Sequence, residues 1–203
     1  MRQVKKRNIR LETDRFVVRT LRESHASEVM AGWLADPELM ENINQQPRRM
    51  SLIQLRRYIL SYDQATRLLV GVFDAASEKH VGYYFIEINP AQRRATFNVV
   101  IGDRDYWGKR TVLETRAALM DYMFQYGAVE KLIGGPLARN FPAVFNYKAQ
   151  GWKLEGLMKS HVLSASGSYR IDQYQFAMLK EDWRAIKSAG MQQNGMIDKE
   201  ATA

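Results

Sequence analysis

Apolar and polar positions alternate along the chain in short blocks, and the blocks change period. Phe16, Val18 and Leu21 give residues 11–20 the period of a strand. Ala26, Val29, Met30, Trp33 and Leu34 then fall on one face of a helix preceded by Ser24, and the Asp36-Pro37 pair disrupts it. Ser51 followed three residues later by Gln54 is a capping-box signature, continued by Leu55, Tyr58 and Ile59. RLLVGVFD (67–74), VGYYFIEIN (81–89) and ATFNVVIGD (95–103) are separated by short polar turns and predict an antiparallel meander. The clearest helix follows, with Leu113, Ala117, Met120 and Phe124 recurring on one face and Gly127 at its end. VEKLIGG predicts another strand, Pro142 the first turn of a helix that stops at Gly151, and WKLEGLMKSHVL and YRIDQYQFAML two closing strands. The sum is an α/β (α+β) domain, with a mixed, mostly antiparallel sheet of about seven strands flanked by about four helices.

Composition narrows the chemistry. The 203 residues are 46% hydrophobic and 26% charged, which is globular and long enough for one full core. Without cysteine, disulfides, thiol nucleophiles and thiolate metal sites are excluded, and three scattered histidines predict no metal. A net charge of +8 admits nucleic acid. The basic residues, however, are dispersed pairs such as Arg48-Arg49 and Arg93-Arg94, which argue instead for an acidic small molecule or for solubility. The basic start lacks an apolar stretch behind it and no run is long enough to span a bilayer, so a cytoplasmic protein without a membrane partner is expected, as monomer or homodimer. Residues 1–9 are expected as a basic arm, 10–183 as the domain, and 184–203 as a polar, partly ordered tail.

Four segments carry a family resemblance that covers roughly residues 10–183. LETDRFVVRTLRESHASEVMAGWLADPELM, IGDRDYWGKRTVLETRAALMDYMF, NFPAVFNYKAQGWKLEG and GSYRIDQYQFAML with Glu181-Asp182-Trp183 stand in the order found in GNAT-family N-acetyltransferases. They most resemble the branch of ribosomal-protein N-terminal acetyltransferases. The resemblance implies a GNAT fold whose sheet splays between strands 4 and 5, with acetyl-CoA as co-substrate entering the V. It places the pantetheine along Val99, Val100 and Ile101, and the diphosphate over Trp107, Gly108, Lys109, Arg110, Thr111 and Val112. Asn140, Asn146 and Tyr147 complete the cofactor site. A helix start offers unpaired N–H groups and partial positive charge to an anion.

The chain departs from the branch in that loop. Gly108-Lys109-Arg110-Thr111-Val112 stands where the branch reads Gly-Lys-Gly, any residue, then Gly or Ala. The Arg110 side chain either obstructs the phosphates or adds a charge-assisted contact to them. A retained but altered anion site is expected.

By resemblance, Tyr147 is the acid that protonates the departing thiolate, and a phenol with a pKa of about 10 suits that task. The alternative is a core tyrosine. Asn140 bonds the pantetheine or simply caps a helix. The branch often carries a Glu on its fourth strand, where this chain has Thr96, so Glu87 on the neighbouring strand is the candidate base, against the alternative of an exposed strand residue. Trp33 and Tyr84, within a set that includes Tyr58, Tyr83 and Phe85, line an acceptor cleft or pack in the core. Asp172 supports structure or touches the acceptor. The expected activity is acyl-CoA-dependent transfer to a primary amine on a small molecule, an amino sugar or a protein N-terminus. The alternative is a GNAT-fold binding module that has lost turnover.

Overall fold

A computed structural model describes residues 5–189. Eight strands form one sheet in the order β1-β2-β3-β4-β5-β6-β8-β7. They are β1 Arg10–Glu12, β2 Phe16–Thr20, β3 Arg67–Asp74, β4 His80–Asn89, β5 Arg94–Ile101, β6 Lys131–Gly134, β7 Lys153–Leu163 and β8 Arg170–Leu179. All neighbouring pairs are antiparallel except β5 with β6. The helices are α1 Glu28–Ala35, α2 Pro37–Asn42, α3 Leu52–Leu60, α4 Thr111–Tyr126 and α5 Phe141–Ala149. Residues 180–189 are also helical, which includes the first six positions of the predicted tail. The rest of that tail lies outside the described residues. No helix among the described residues is long and apolar enough to cross a membrane.

The single strand expected over 11–20 is a hairpin. Thr13 turns the chain, its N–H and hydroxyl both donating to the Phe16 carbonyl, so β1 folds back on β2. This raises the strand count from about seven to eight. The first helix starts at Glu28, capped by Ser27 rather than Ser24. Asp36 ends that helix, and its carboxylate accepts from the Glu38 and Leu39 N–H groups to start α2. One Asp-Pro pair therefore makes two helices, because proline at the first helical position lacks only an N–H that would have had no partner. Ser51 and Gln54 form the reciprocal capping box of α3, a feature worth about 1 kcal/mol.

Two cores lie on opposite faces of the sheet. One packs α1–α3 on Leu69, Phe73, Tyr83 and Val100. The other packs α4 and α5 on Tyr84, Ile86, Phe97 and Phe176. Alternate residues of β4 and β5 serve opposite cores, as the two-residue period of a strand requires. The α4 stripe differs from the one the apolar pattern predicts. Its buried face runs through Thr115, Arg116, Leu119, Met120, Met123 and Phe124, while Leu113 and Ala117 are only half-buried.

Candidate active site

The parallel pairing of β5 with β6 is short. It runs Arg94↔Lys131, Ala95↔Leu132 and Thr96↔Ile133 and then stops, while β5 stays paired to β4 as far as Ile101. Past Thr96 the two strands diverge. The Phe97 carbonyl points into the opening, because it accepts a hydrogen bond from the Tyr147 hydroxyl at 3.3 Å. Backbone polar groups alternate sides along a strand, so those of Val99 and Ile101 face the same way. At the far end the indole N–H of Trp107 donates to the Ile101 carbonyl at 2.7 Å, placing that half-exposed ring at the mouth.

Tyr147 projects from α5 into the vertex. Its ring stacks on Phe176 at 5.2 Å and meets Trp152 edge-on at 5.0 Å. Gly134 makes room for it, since a Cβ there would stand 2.2 Å from a Tyr147 ring carbon. The Arg116 guanidinium lies over the same ring, 4.3 Å from its centre. Burial raises the phenol pKa above its ordinary value, and the neighbouring Arg116 charge opposes that rise. The proton therefore stays on Tyr147 at neutral pH, which an acid requires.

At the mouth, α4 begins with Arg110 in the left-handed conformation, φ 60°. This conformation costs a non-glycine residue about 1–2 kcal/mol. Gly108, also left-handed at φ 70°, has open space where a Cβ would be. Arg15 braces the loop by donating to the Lys109 carbonyl, and with Thr13 it holds the Glu114 carboxylate. These contacts keep the Glu114 pKa below its ordinary value although burial acts the other way. A groove of about 550 Å³ runs from this helix start, with Arg110 and Lys148 contributing cations, Arg15 paired to Glu114 beside them, and Trp183 and Ile186 an apolar wall. Helix start, open glycine and a groove of net positive charge fit a diphosphate in charge and in backbone access.

Residues 15–151 match the Acetyltransferase (GNAT) domain family. This chain belongs to the GNAT acetyltransferase family. A curated relative, the uncharacterized N-acetyltransferase p20 of Bacillus licheniformis, is 25% identical over 179 residues, which cover 85% of this chain and 97% of that one. A spermidine N-acetyltransferase from Vibrio cholerae, solved with CoA and spermine, superimposes with a TM-score of 0.74 at 18% identity, covering 84% of this chain and 99% of the other. A ribosomal-protein-S5-alanine acetyltransferase from Vibrio fischeri gives 0.72 at 17% identity, with coverages of 87% and 99%. The protein is thus a GNAT N-acetyltransferase, with the splayed α+β sheet of that fold.

Within this GNAT acetyltransferase the residues singled out from sequence separate into groups. Tyr147, Val99, Ile101 and Trp107 gather at the opening, and Gly108, Lys109, Arg110, Thr111 and Val112 at the start of α4. Val100 is corrected: its backbone polar groups are out of phase with those of Val99 and Ile101 and face β4, and its side chain is buried in the α1–α3 core. Asn140 caps α5 through the Ala143 N–H and donates to the Asn42 carbonyl, which ties α5 to α2. The Asn146 carbonyl accepts from Arg116.

The acceptor-cleft assignment of Trp33 and Tyr84 is also corrected, because each is buried in a core. Trp33 packs on His80 and Tyr83, and a Cβ at Gly102 would strike its indole. Tyr84 is wholly buried against α4 with its hydroxyl 2.8 Å from Thr115 Oγ1. Asp172 lies on β8. Its carboxylate pairs with Lys159 and accepts from the Ser160 N–H, holding a bulge in β7. Glu87 is exposed on the α1–α3 face, in register with Arg67 and Thr96. Arg116, Gln150 and Gly134 were not singled out. The signal for Arg116 was present, since it stands four residues before Met120 on the buried stripe of α4.

Proposed function

We propose that the protein transfers the acetyl group of acetyl-CoA to a primary amine by direct attack within a ternary complex. The acceptor is a small-molecule amine, an amino sugar or a protein N-terminus, in the manner of the ribosomal-protein N-terminal acetyltransferases. The observation that carries this reading is the Tyr147 hydroxyl bonded to Phe97 at the vertex of the opened sheet.

In this reading the thioester lies in the opening, its pantetheine along the Val99–Ile101 edge and its diphosphate at the start of α4. The neutral amine attacks the thioester carbonyl, and an N–H of the open β5 edge stabilises the oxyanion. As the C–S bond breaks, sulfur takes the electron pair and Tyr147 gives it a proton. Glu87 accepts the proton shed by the amine nitrogen through ordered water. Arg110 supplies a cation to the diphosphate, supported by Arg15 and Lys148.

The test offers acetyl-CoA with spermidine, glucosamine or an alanyl peptide and follows release of free thiol. Amine-dependent release with at least one acceptor, and a thermal upshift with CoA alone, are expected. No thermal shift and no release with any amine would overturn the reading.

A further inference from the structure

Among the described residues Arg116 is the largest fully buried side chain, at 1% exposure, and no acid among them stands beside its charge. It takes part in none of the ion pairs among the described residues. Its hydrogen-bond acceptors are neutral: the Gln150 side-chain oxygen at 2.5 Å and the Asn146 carbonyl at 2.7 Å. Gln150 is itself fixed, donating to the Leu113 carbonyl of α4 and accepting from the Trp152 indole. The guanidinium is thereby clamped between α4 and the end of α5 and held over the rings of Tyr147 and Trp152, 4.3 and 5.3 Å from their centres.

An unpaired buried cation is a liability of several kcal/mol unless negative charge arrives near it. Packing alone does not call for arginine here, because methionine or leucine would also cover the rings of Tyr147 and Trp152. The reaction supplies the missing charge. When Tyr147 surrenders its proton to sulfur, a phenolate is left in a water-poor vertex. The titratable or charged groups that face Tyr147 are Arg116 from α4 and Tyr84 from β4. The other elements contribute Phe176, Trp152 and Gly134, none of which carries charge.

We propose that Arg116 is a positioning residue for Tyr147, holding the phenol ring at the vertex of the sheet and acting as counter-charge for the phenolate formed during turnover. The inference rests on the assignment of Tyr147 as the acid. The proton balance is closed. The amine N–H bond breaks and its proton passes through water to Glu87, the Tyr147 O–H proton goes to the thiolate, and both Glu87 and the phenolate exchange protons with solvent before the next cycle. Arg116 forms and breaks no covalent bond.

The experiment combines Arg116→Met, Arg116→Lys, Tyr147→Phe and the Arg116→Met/Tyr147→Phe double variant. Thiol release from acetyl-CoA is measured across pH with the most rapidly acetylated amine of the panel above, or with water alone. Arg116→Met should lower kcat about tenfold or more while KM for acetyl-CoA stays within about twofold, as loss of an interaction made only in the transition state requires. Its pH–rate profile should move relative to wild type, and Arg116→Lys should restore part of the rate. In the Tyr147→Phe background Arg116→Met should have no further effect.

Equal losses from Arg116→Met in both backgrounds, or a pH profile that does not move, would overturn the Arg116 role and leave a packing residue. If Arg116→Met does not fold, the comparison rests on Arg116→Lys, and a profile identical to wild type overturns the role. Full turnover by Tyr147→Phe removes the acid assignment itself. A defective Tyr147→Phe beside a fully active Arg116→Met removes only the Arg116 proposal.

Discussion

The Tyr147 hydroxyl donates to the Phe97 carbonyl at 3.3 Å, one residue past the last β5–β6 pair. A side chain from a helix thus satisfies the first backbone acceptor that the diverging strands leave without a strand partner. Tyr147→Phe removes this bond and the proton but keeps the ring on Phe176. It should cut kcat about tenfold or more, with KM for acetyl-CoA changed little. Steady-state kinetics with varied acetyl-CoA checks this, and unchanged turnover removes Tyr147 from the chemistry.

Gly134 is the floor beneath that ring. Gly134→Ala places a methyl group where the Tyr147 ring now lies, so the ring must shift. Overpacking of this kind costs about 1–3 kcal/mol, and the displaced hydroxyl should lower kcat as well. Urea denaturation and kcat measured on the same preparation report the two effects. Wild-type values of both would show that the vertex accommodates a larger residue.

Arg110 joins a strained backbone to a useful charge. Arg110→Gly relaxes the left-handed position and should leave the fold as stable as before or slightly more so. Both Arg110→Gly and Arg110→Ala should weaken CoA at least tenfold, through loss of a charge-assisted bond worth about 1.5–3 kcal/mol. Calorimetric titration with CoA checks this. Tighter binding by Arg110→Gly would mean that the side chain obstructs the loop.

His80 makes stability depend on pH. Its ring stacks on Phe73 at 4.6 Å and meets Trp33 at 4.9 Å, and its Nε2 is buried with no partner among the described residues. Burial first, then the charges of His25 and Arg19, push its pKa from 6.5 down to about 4. The folded protein holds His80 neutral while the unfolded chain protonates it. Stability is therefore fully present above pH 6.5 and falls as the pH drops toward 4, by up to about 3 kcal/mol from this residue. His80→Phe should show a smaller decline in melting temperature between pH 7.5 and 5 than wild type. Parallel declines would assign the acid sensitivity elsewhere.

Local signals survive in sequence because they are made by neighbours. The Ser51–Gln54 box, the Asp36-Pro37 break and the meander of β3–β5 each depend on residues a few positions apart, and they appear where the apolar pattern puts them. The family resemblance added the splay beside β5 and the vertex position of Tyr147. Long-range relationships were another matter. A periodicity that counts arginine as polar passes over Arg116 although its spacing from Met120 puts it on the buried stripe of α4, because what lets a guanidinium be buried there is a pair of acceptors on and just past α5, 30 and 34 residues further along the chain. Trp33 and Tyr84 have the composition of cleft residues, yet the period of β4 and the packing of α1 and α4 send them into cores. Nothing near Gly134 in the chain marks it either, since the ring that requires it comes from Tyr147. Hydrophobic period and capping chemistry fix elements one at a time, whereas the site exists only where β5, β6, α4 and α5 converge and strand pairing ends.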